Sequence, residues 1–239
     1  MGFLNRIGLG SVRAPGASAA ALRAHVPVTA ITPAAPSFAP RETRASSSLK
    51  DFLWHLNGLG RGNLLDLGPV WQSTVSFFIE RGFKVSTEDV LTGWKQFSTE
   101  ETNRQSSLPE DAVRISRAEL ANIFLETSLQ YAPGSLDAVL AWDVLDYLED
   151  EAMRPVAERL RSLVREGGVI LAMFHSKRPQ QFQRYRILDE RTLEMVPSPS
   201  IMPMARVLQN REISDLFARF HTSKTYLGRD QLREGLFVK

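Results

Sequence analysis

The chain of 239 residues has no cysteine, which excludes disulfides, thiolate nucleophiles and cysteine-based metal sites. Histidine is scarce as well. His25, His55, His175 and His221 stand far apart, with none of the short spacings that let two imidazoles share an ion, so no metal site is expected. No apolar run approaches the roughly 18–20 residues that span a bilayer. Met1-Gly2 is followed by Arg6, where a myristoylation signal carries Ser or Thr. The expectation is a soluble, cytoplasmic protein with no membrane partner. Large excess charge is lacking too, at a formal net +2. Residues 1–49 hold five arginines and one glutamate, a net +4, which leaves −2 on the remainder. The part rich enough in apolar residues to fold is therefore mildly acidic, the opposite of a general nucleic-acid surface.

What is present divides the chain in two. Residues 1–46 are rich in Ala, Pro, Ser and Gly, with short apolar pieces that never settle into a period. Such a segment buries too little surface to offset its ordering entropy and is expected to be a disordered tail. It is Arg-bearing and almost free of acids, which is also the composition of an organelle transit peptide and would redirect the protein to an organelle. The chain is 43% hydrophobic overall, and residues 47–239, which carry its periodic apolar segments, read as one domain.

Within that domain, Leu49, Phe52, Leu53 and Leu56 mark a helix stopped by Gly58. A strand follows at 63–67. Trp71, Val75, Phe78 and Ile79 give a second helical face that ends at Gly82, and 83–87 reads as the next strand, completing a β-α-β unit. Ser116-Arg117-Ala118-Glu119 has the form of a capping box. A third strand belongs somewhere between 91 and 127 without a legible pattern. Leu136 to Trp142 is a nearly continuous apolar run of the kind buried on both faces. Met153, Val156, Ala157, Leu160, Leu163 and Val164 fall at helical spacing, Val169 to Phe174 is another buried strand, and 176–206 reads as an irregular insert. A helix at Asn210 and a hairpin over 221–238 close the chain. The pattern predicts an α/β, three-layer α-β-α sandwich: a doubly wound, mostly parallel seven-stranded sheet with a C-terminal antiparallel hairpin.

The chemistry-bearing stretch is Asn63-Leu64-Leu65-Asp66-Leu67-Gly68-Pro69, an apolar strand that closes on Asp-x-Gly before a helix, followed about twenty residues later by Glu88-Asp89. The glycine-rich remainder of such a loop is missing, with Pro69, Val70, Trp71 and Gln72 in its place.

In order and wording these segments resemble a class I S-adenosylmethionine-dependent methyltransferase. Leu65-Asp66-Leu67-Gly68 resembles that family's first motif, and Glu80 to Val85 leading to Asp89 resembles the run into its ribose-binding acid. Ser135 to Leu148 and Leu163 to Leu171 resemble its fourth strand with the following loop and its next helix-turn-strand. The resemblance implies S-adenosylmethionine as cofactor, with Asp66, Gly68 and Asp89 facing it, Glu126 meeting the adenine edge and Trp142 bordering the sulfonium. Glu88 is expected to face solvent. Asp143, Tyr147 and His175 are the implied acid–base candidates beside a small-molecule acceptor. Two rival readings accompany it. One is a non-catalytic protein of this fold, its pocket filled by Trp71 or Gln72 and its action exerted through a partner. The other is an RNA methyltransferase that holds nucleic acid through the basic and aromatic run from Lys177 to Arg186.

Overall fold

The computed structural model describes residues 41–228 and 230–239. The tail and transit-peptide expectations for 1–40 lie outside the described residues. In chain order the elements are β1 (Glu42–Ala45), α1 (Ser47–Leu56), β2 (Gly62–Asp66), α2 (Gln72–Ile79), β3 (Phe83–Thr87), α3 (Val90–Ser106), α4 (Arg117–Ser128), β4 (Leu136–Trp142), α5 (Asp150–Leu163), β5 (Val164–His175), β6 (Gln183–Ile187), β7 (Thr192–Pro197), α6 (Asn210–Leu216), β8 (Thr222–Leu227) and β9 (Leu232–Val238).

The main sheet has six strands in the order β3-β2-β4-β5-β9-β8. The first four run parallel, β9 pairs antiparallel with β5, and β8 pairs antiparallel with β9. The doubly wound architecture and the terminal hairpin are as the pattern predicts, with six strands in place of seven. The stretch that was to supply the missing strand is helical instead. Asp89 caps α3 by accepting from Thr92 N at 3.3 Å and Thr92 Oγ1 at 2.8 Å. Polar pairs one turn apart, such as Gln96 with Glu100, then favour the helix along a face with only Val90, Leu91 and Trp94 buried. At α4, Ser116 Oγ accepts from Glu119 N and Glu119 accepts from Ser116 N, the capping box read from the sequence.

The two apolar faces of the sheet are covered separately. Leu120, Phe124, Met153, Leu160 and Phe217 belong to the core beneath α3 to α6. Leu49, Phe52, Phe77 and Phe78 belong to the core beneath α1 and α2. The inner face of α2 is rotated from the expected one: Ile79 is 57% exposed, and Phe77 is buried in its place. The turn into β3 requires glycine. Gly82 has φ +85°, and a Cβ there would sit 2.3 Å from the Gly60 carbonyl oxygen.

The insert at 176–206 is not irregular. Its β6 and β7 form an antiparallel hairpin, and β1 pairs along β7 to make a second, three-stranded sheet. Residues 42–45, read as tail, are therefore part of the fold. Arg44 bridges them to Glu234 on β9 at 2.7 Å, and Glu234 also accepts from Ser46 Oγ and Ser48 N. Tyr185, Ile187, Leu193 and Met195 of this hairpin are buried in the core beneath α1 and α2, and Thr74 Oγ1 accepts from Ile187 N at 2.9 Å. Among the described residues no helix is long and apolar enough to cross a membrane.

Candidate functional site

From β2 the chain winds outward to β3 and then returns to the other side of β2 to lay down β4. That reversal is a topological switch point, and beyond the carboxyl ends of β2 and β4 lies the crevice position at which doubly wound sheets bind ligands. Asp66 ends one strand and Trp142 the other.

Asp66 is fully buried. Its Oδ1 accepts from Gly68 N at 2.9 Å and from the Trp142 indole Nε1 at 2.6 Å, while its Oδ2 is buried with no partner among the described residues. Burial pushes the carboxyl up to about 6; the two donors and Arg184 pull it back only in part, and the nearby Asp89 charge adds to the rise. Trp142 reaches this position through an uncommon backbone. Its φ is +47° at a register shift between Leu140 and Trp142, a conformation that costs roughly 1–3 kcal/mol in a non-glycine residue. The bond to Asp66 and a stack on Tyr185, with centroids 5.7 Å apart and 14° between planes, hold it there. The indole also closes the space over Gly68, where an added Cβ would lie 3.0 Å from Nε1 and 3.1 Å from Cδ1.

Asp89, beyond the end of β3, faces the same region. Arg184 of β6 places Nη2 3.0 Å from its Oδ1 and 2.9 Å from its Oδ2, and 3.2 Å from Thr92 Oγ1. Glu88 is half-buried and accepts from Tyr131 OH at 3.0 Å, so it is a bracing group and not the solvated charge expected.

On the far side of Trp142 lies a second cluster. Asp143 Oδ2 meets His175 Nε2 at 3.1 Å and accepts from Tyr185 OH at 3.2 Å. Asp146 accepts from His175 N at 2.6 Å, and its other oxygen is buried without a partner, so desolvation holds its carboxyl well above the ordinary range. Burial, reinforced by the neighbouring Asp143, likewise raises the Tyr185 phenol. His175 and Tyr185 border a cavity of about 290 Å³ whose other walls include Lys177, Gln180, Gln183 and Gln231.

Of the residues singled out in sequence, the fold brings Asp66, Gly68, Asp89 and Trp142 to the crevice and Asp143 and His175 to the neighbouring cluster. Tyr147 is buried edge-on against Phe182, its phenol pushed up by burial and by Asp143 and Asp146. It does not border the cavity. Glu126 is not at the site. It is exposed on α4 and lines a cleft with Pro155 and Arg159 of α5, because the helix that replaces the third strand carries it away from the sheet edge. Of the two residues expected to fill the pocket in the non-catalytic reading, Trp71 lies under Arg186 and Gln72 bonds Ser76 on its own helix. The basic run is largely spent internally, with Arg178 on the Met204 and Ala205 carbonyls, Arg184 on Asp89 and Arg186 on Glu194.

Sequence reasoning reads Arg184 and Tyr185 only as part of the basic and aromatic run and misses their places beside Asp89 and Asp143. Their signal was the alternation Arg184-Tyr185-Arg186-Ile187, then the turn residues Asp189 to Arg191, then Leu193-Glu194-Met195, the period of a hairpin.

No family model matches the chain, and no curated protein matches it in sequence. Solved structures do. One is the Burkholderia thailandensis 1,6-didemethyltoxoflavin-N1-methyltransferase with bound 1,6-didemethyltoxoflavin and S-adenosylhomocysteine (14% identity, 80% of this chain and 76% of that one, TM-score 0.43). Another is the glycopeptide N-methyltransferase MtfA complexed with S-adenosyl-L-methionine (15% identity, 80% and 92% covered, TM-score 0.39). A third is an S-adenosylmethionine-dependent methyltransferase from Aquifex aeolicus (9% identity, 79% and 88% covered, TM-score 0.39).

Proposed function

We propose that this chain transfers a methyl group from S-adenosylmethionine to a small-molecule acceptor, with the cofactor in the crevice between β2 and β4 and the acceptor in the cavity beside His175. One observation carries the reading: Asp66, buried at the switch point of the sheet, keeps an oxygen that no described group satisfies. An ammonium group, such as the cofactor's amino-acid end carries, would supply both the missing donor and the missing charge. The residues present thus fit the group chemically. Asp66 would hold the ammonium, Gly68 would form the turn beneath it, and Asp89 would take the ribose hydroxyls.

S-Adenosylmethionine, when bound, supplies a methyl group already activated on a sulfonium. The chain's own residues then have to position the acceptor and exclude water, a contribution worth up to about 7–11 kcal/mol in the best-aligned cases. His175 is oriented by Asp143 through Nε2, leaving Nδ1 to accept a proton from an acceptor hydroxyl or amine. Tyr185 shares the same carboxylate oxygen and keeps it aligned.

Calorimetric titration with S-adenosylhomocysteine tests the reading. Binding is expected in the micromolar range, abolished by Asp66→Asn and weakened by Asp89→Ala. A folded wild-type protein that binds none sinks it. One observation favours a second reading, a non-catalytic protein of this fold acting through a partner: the crevice already holds the Trp142 indole, and both oxygens of Asp89 are engaged by Arg184. That reading requires the titration to be silent.

A further inference from the structure

We infer that Arg184 is an internal competitor for the cofactor, setting its affinity by closing Asp89 in the free protein. The inference rests on the cofactor reading above and adds to it a residue that neither the motifs nor the implied ribose contact includes.

Every hydrogen-bonding direction of Asp89 is accounted for. Thr92 takes one side of the carboxylate as the cap of α3, with its amide on Oδ1 and its hydroxyl on Oδ2. Arg184 Nη2 stands beside the capping hydroxyl, 3.2 Å from Thr92 Oγ1, and donates near-equidistantly to both oxygens. The capping bonds belong to the helix and stay. Two ribose hydroxyls can therefore donate to Asp89 only where the guanidinium now stands, so arginine and ribose bind in turn and not together.

Movement of the whole hairpin is not needed, and its packing opposes it. Ile187 and Leu193 are 0% exposed, and Thr74 holds the Ile187 amide. The movable part is the Arg184 side chain. It projects from the strand face opposite Tyr185 and Ile187, on a long unbranched stem, and besides Asp89 its described partners are Thr92 Oγ1 at 3.2 Å and the Phe182 ring at 5.1 Å from the guanidinium carbon. Asp89 is 27% exposed, so the pair is weakened by water and salt without being abolished. Such a latch lowers the protein's apparent affinity below that of its open state, in proportion to the fraction of molecules that are open.

The test is calorimetric titration of S-adenosylhomocysteine into wild type, Arg184→Gln and Arg186→Gln, each at about 50 mM and about 500 mM NaCl. Arg186 sits on the same face of β6 but pairs with Glu194, so it controls for general loss of charge. Arg184→Gln is expected to bind roughly 3- to 5-fold tighter than wild type at low salt, with Arg186→Gln unchanged. Wild-type affinity is expected to rise with salt while that of Arg184→Gln stays flat, a signature that a purely structural role for the arginine does not produce. Binding by wild type that Arg184→Gln leaves equal or weaker overturns the latch and leaves the cofactor reading standing. Binding by Arg184→Gln alone supports the latch in its strongest form. Silence from both proteins, each shown to be folded, overturns the cofactor reading and the latch with it.

Discussion

Replacement of Asp66 by Asn gives the sharpest check on the buried carboxylate, because the effect sought is a change of slope with pH. The folded carboxyl lies at about 6 against 3.8 for the free group, so between those values the folded chain binds more protons than the unfolded chain. Stability therefore falls as pH rises through this window, and the cost is complete above the folded value. Worked through the linkage relation, ionised Asp66 destabilises the fold by about 1 kcal/mol at pH 4.5 and by about 3 kcal/mol at pH 7.5. Asn keeps the acceptor for Gly68 and Trp142 but does not titrate. It also places an amide nitrogen where Oδ2 now lies, at a cost that is constant with pH and cancels from the comparison. The stability of Asp66→Asn relative to wild type should thus improve by about 2 kcal/mol from pH 4.5 to pH 7.5. With a urea slope near 2 kcal/mol per molar, that is a relative midpoint shift of about 1 M, easily resolved by fluorescence-monitored unfolding. Asp146 and the remaining acids titrate in both proteins and drop out of the difference. Midpoints that stay parallel across the range would refute the assignment of a destabilising charge to Asp66. A retained destabilising group is what a binding site exacts when the ligand supplies the missing partner.

Two further outcomes concern the scaffold. Gly82→Ala combines a left-handed φ of +85° with a Cβ 2.3 Å from the Gly60 carbonyl, so it should cost roughly 3 kcal/mol by equilibrium unfolding, and a cost within error of zero would mean the turn into β3 is not held as described. Arg44→Met strands the buried Glu234 carboxylate and should cost about 3–5 kcal/mol, with Glu234→Gln added in the double variant restoring part of it; additive losses would show that the pair does not couple β1 to β9.

Much of the architecture was legible because its causes are local. The limits of β4 follow from a short apolar run after a turn, the start of β3 from the Gly82 turn, and α4 from a capping box in which each partner satisfies the other's amide. The misreadings have equally physical causes. Helical polar pairs fill the stretch where a third strand was sought, and once α4 forms, Glu126 is carried to an outer surface. The hairpin β6–β7 reads as irregular chain in sequence because Pro179 and Pro199 flank two short strands and Pro197 ends the second, and its alternation becomes informative only when the face it covers is known. Ile79 lies outside the core because the buried stripe of α2 runs through Thr74, Phe77 and Phe78, at i, i+3 and i+4, and includes the polar Thr74, which an apolar pattern alone passes over.

By itself the sequence determined which residues carry charge at the strand ends, Asp66 and Asp89, and the β-α-β order that lays those strands side by side, since periodicity and turn chemistry act over a few residues. Only the tertiary structure decided what those carboxylates meet. Trp142 reaches Asp66 across 76 positions of chain and Arg184 reaches Asp89 across 95, contacts that depend on how the sheet and the hairpin pack and on no local pattern. Burial, which leaves one oxygen of Asp66 without a partner and raises its pKa, is likewise a property of the packed core and is written in no single segment of the chain.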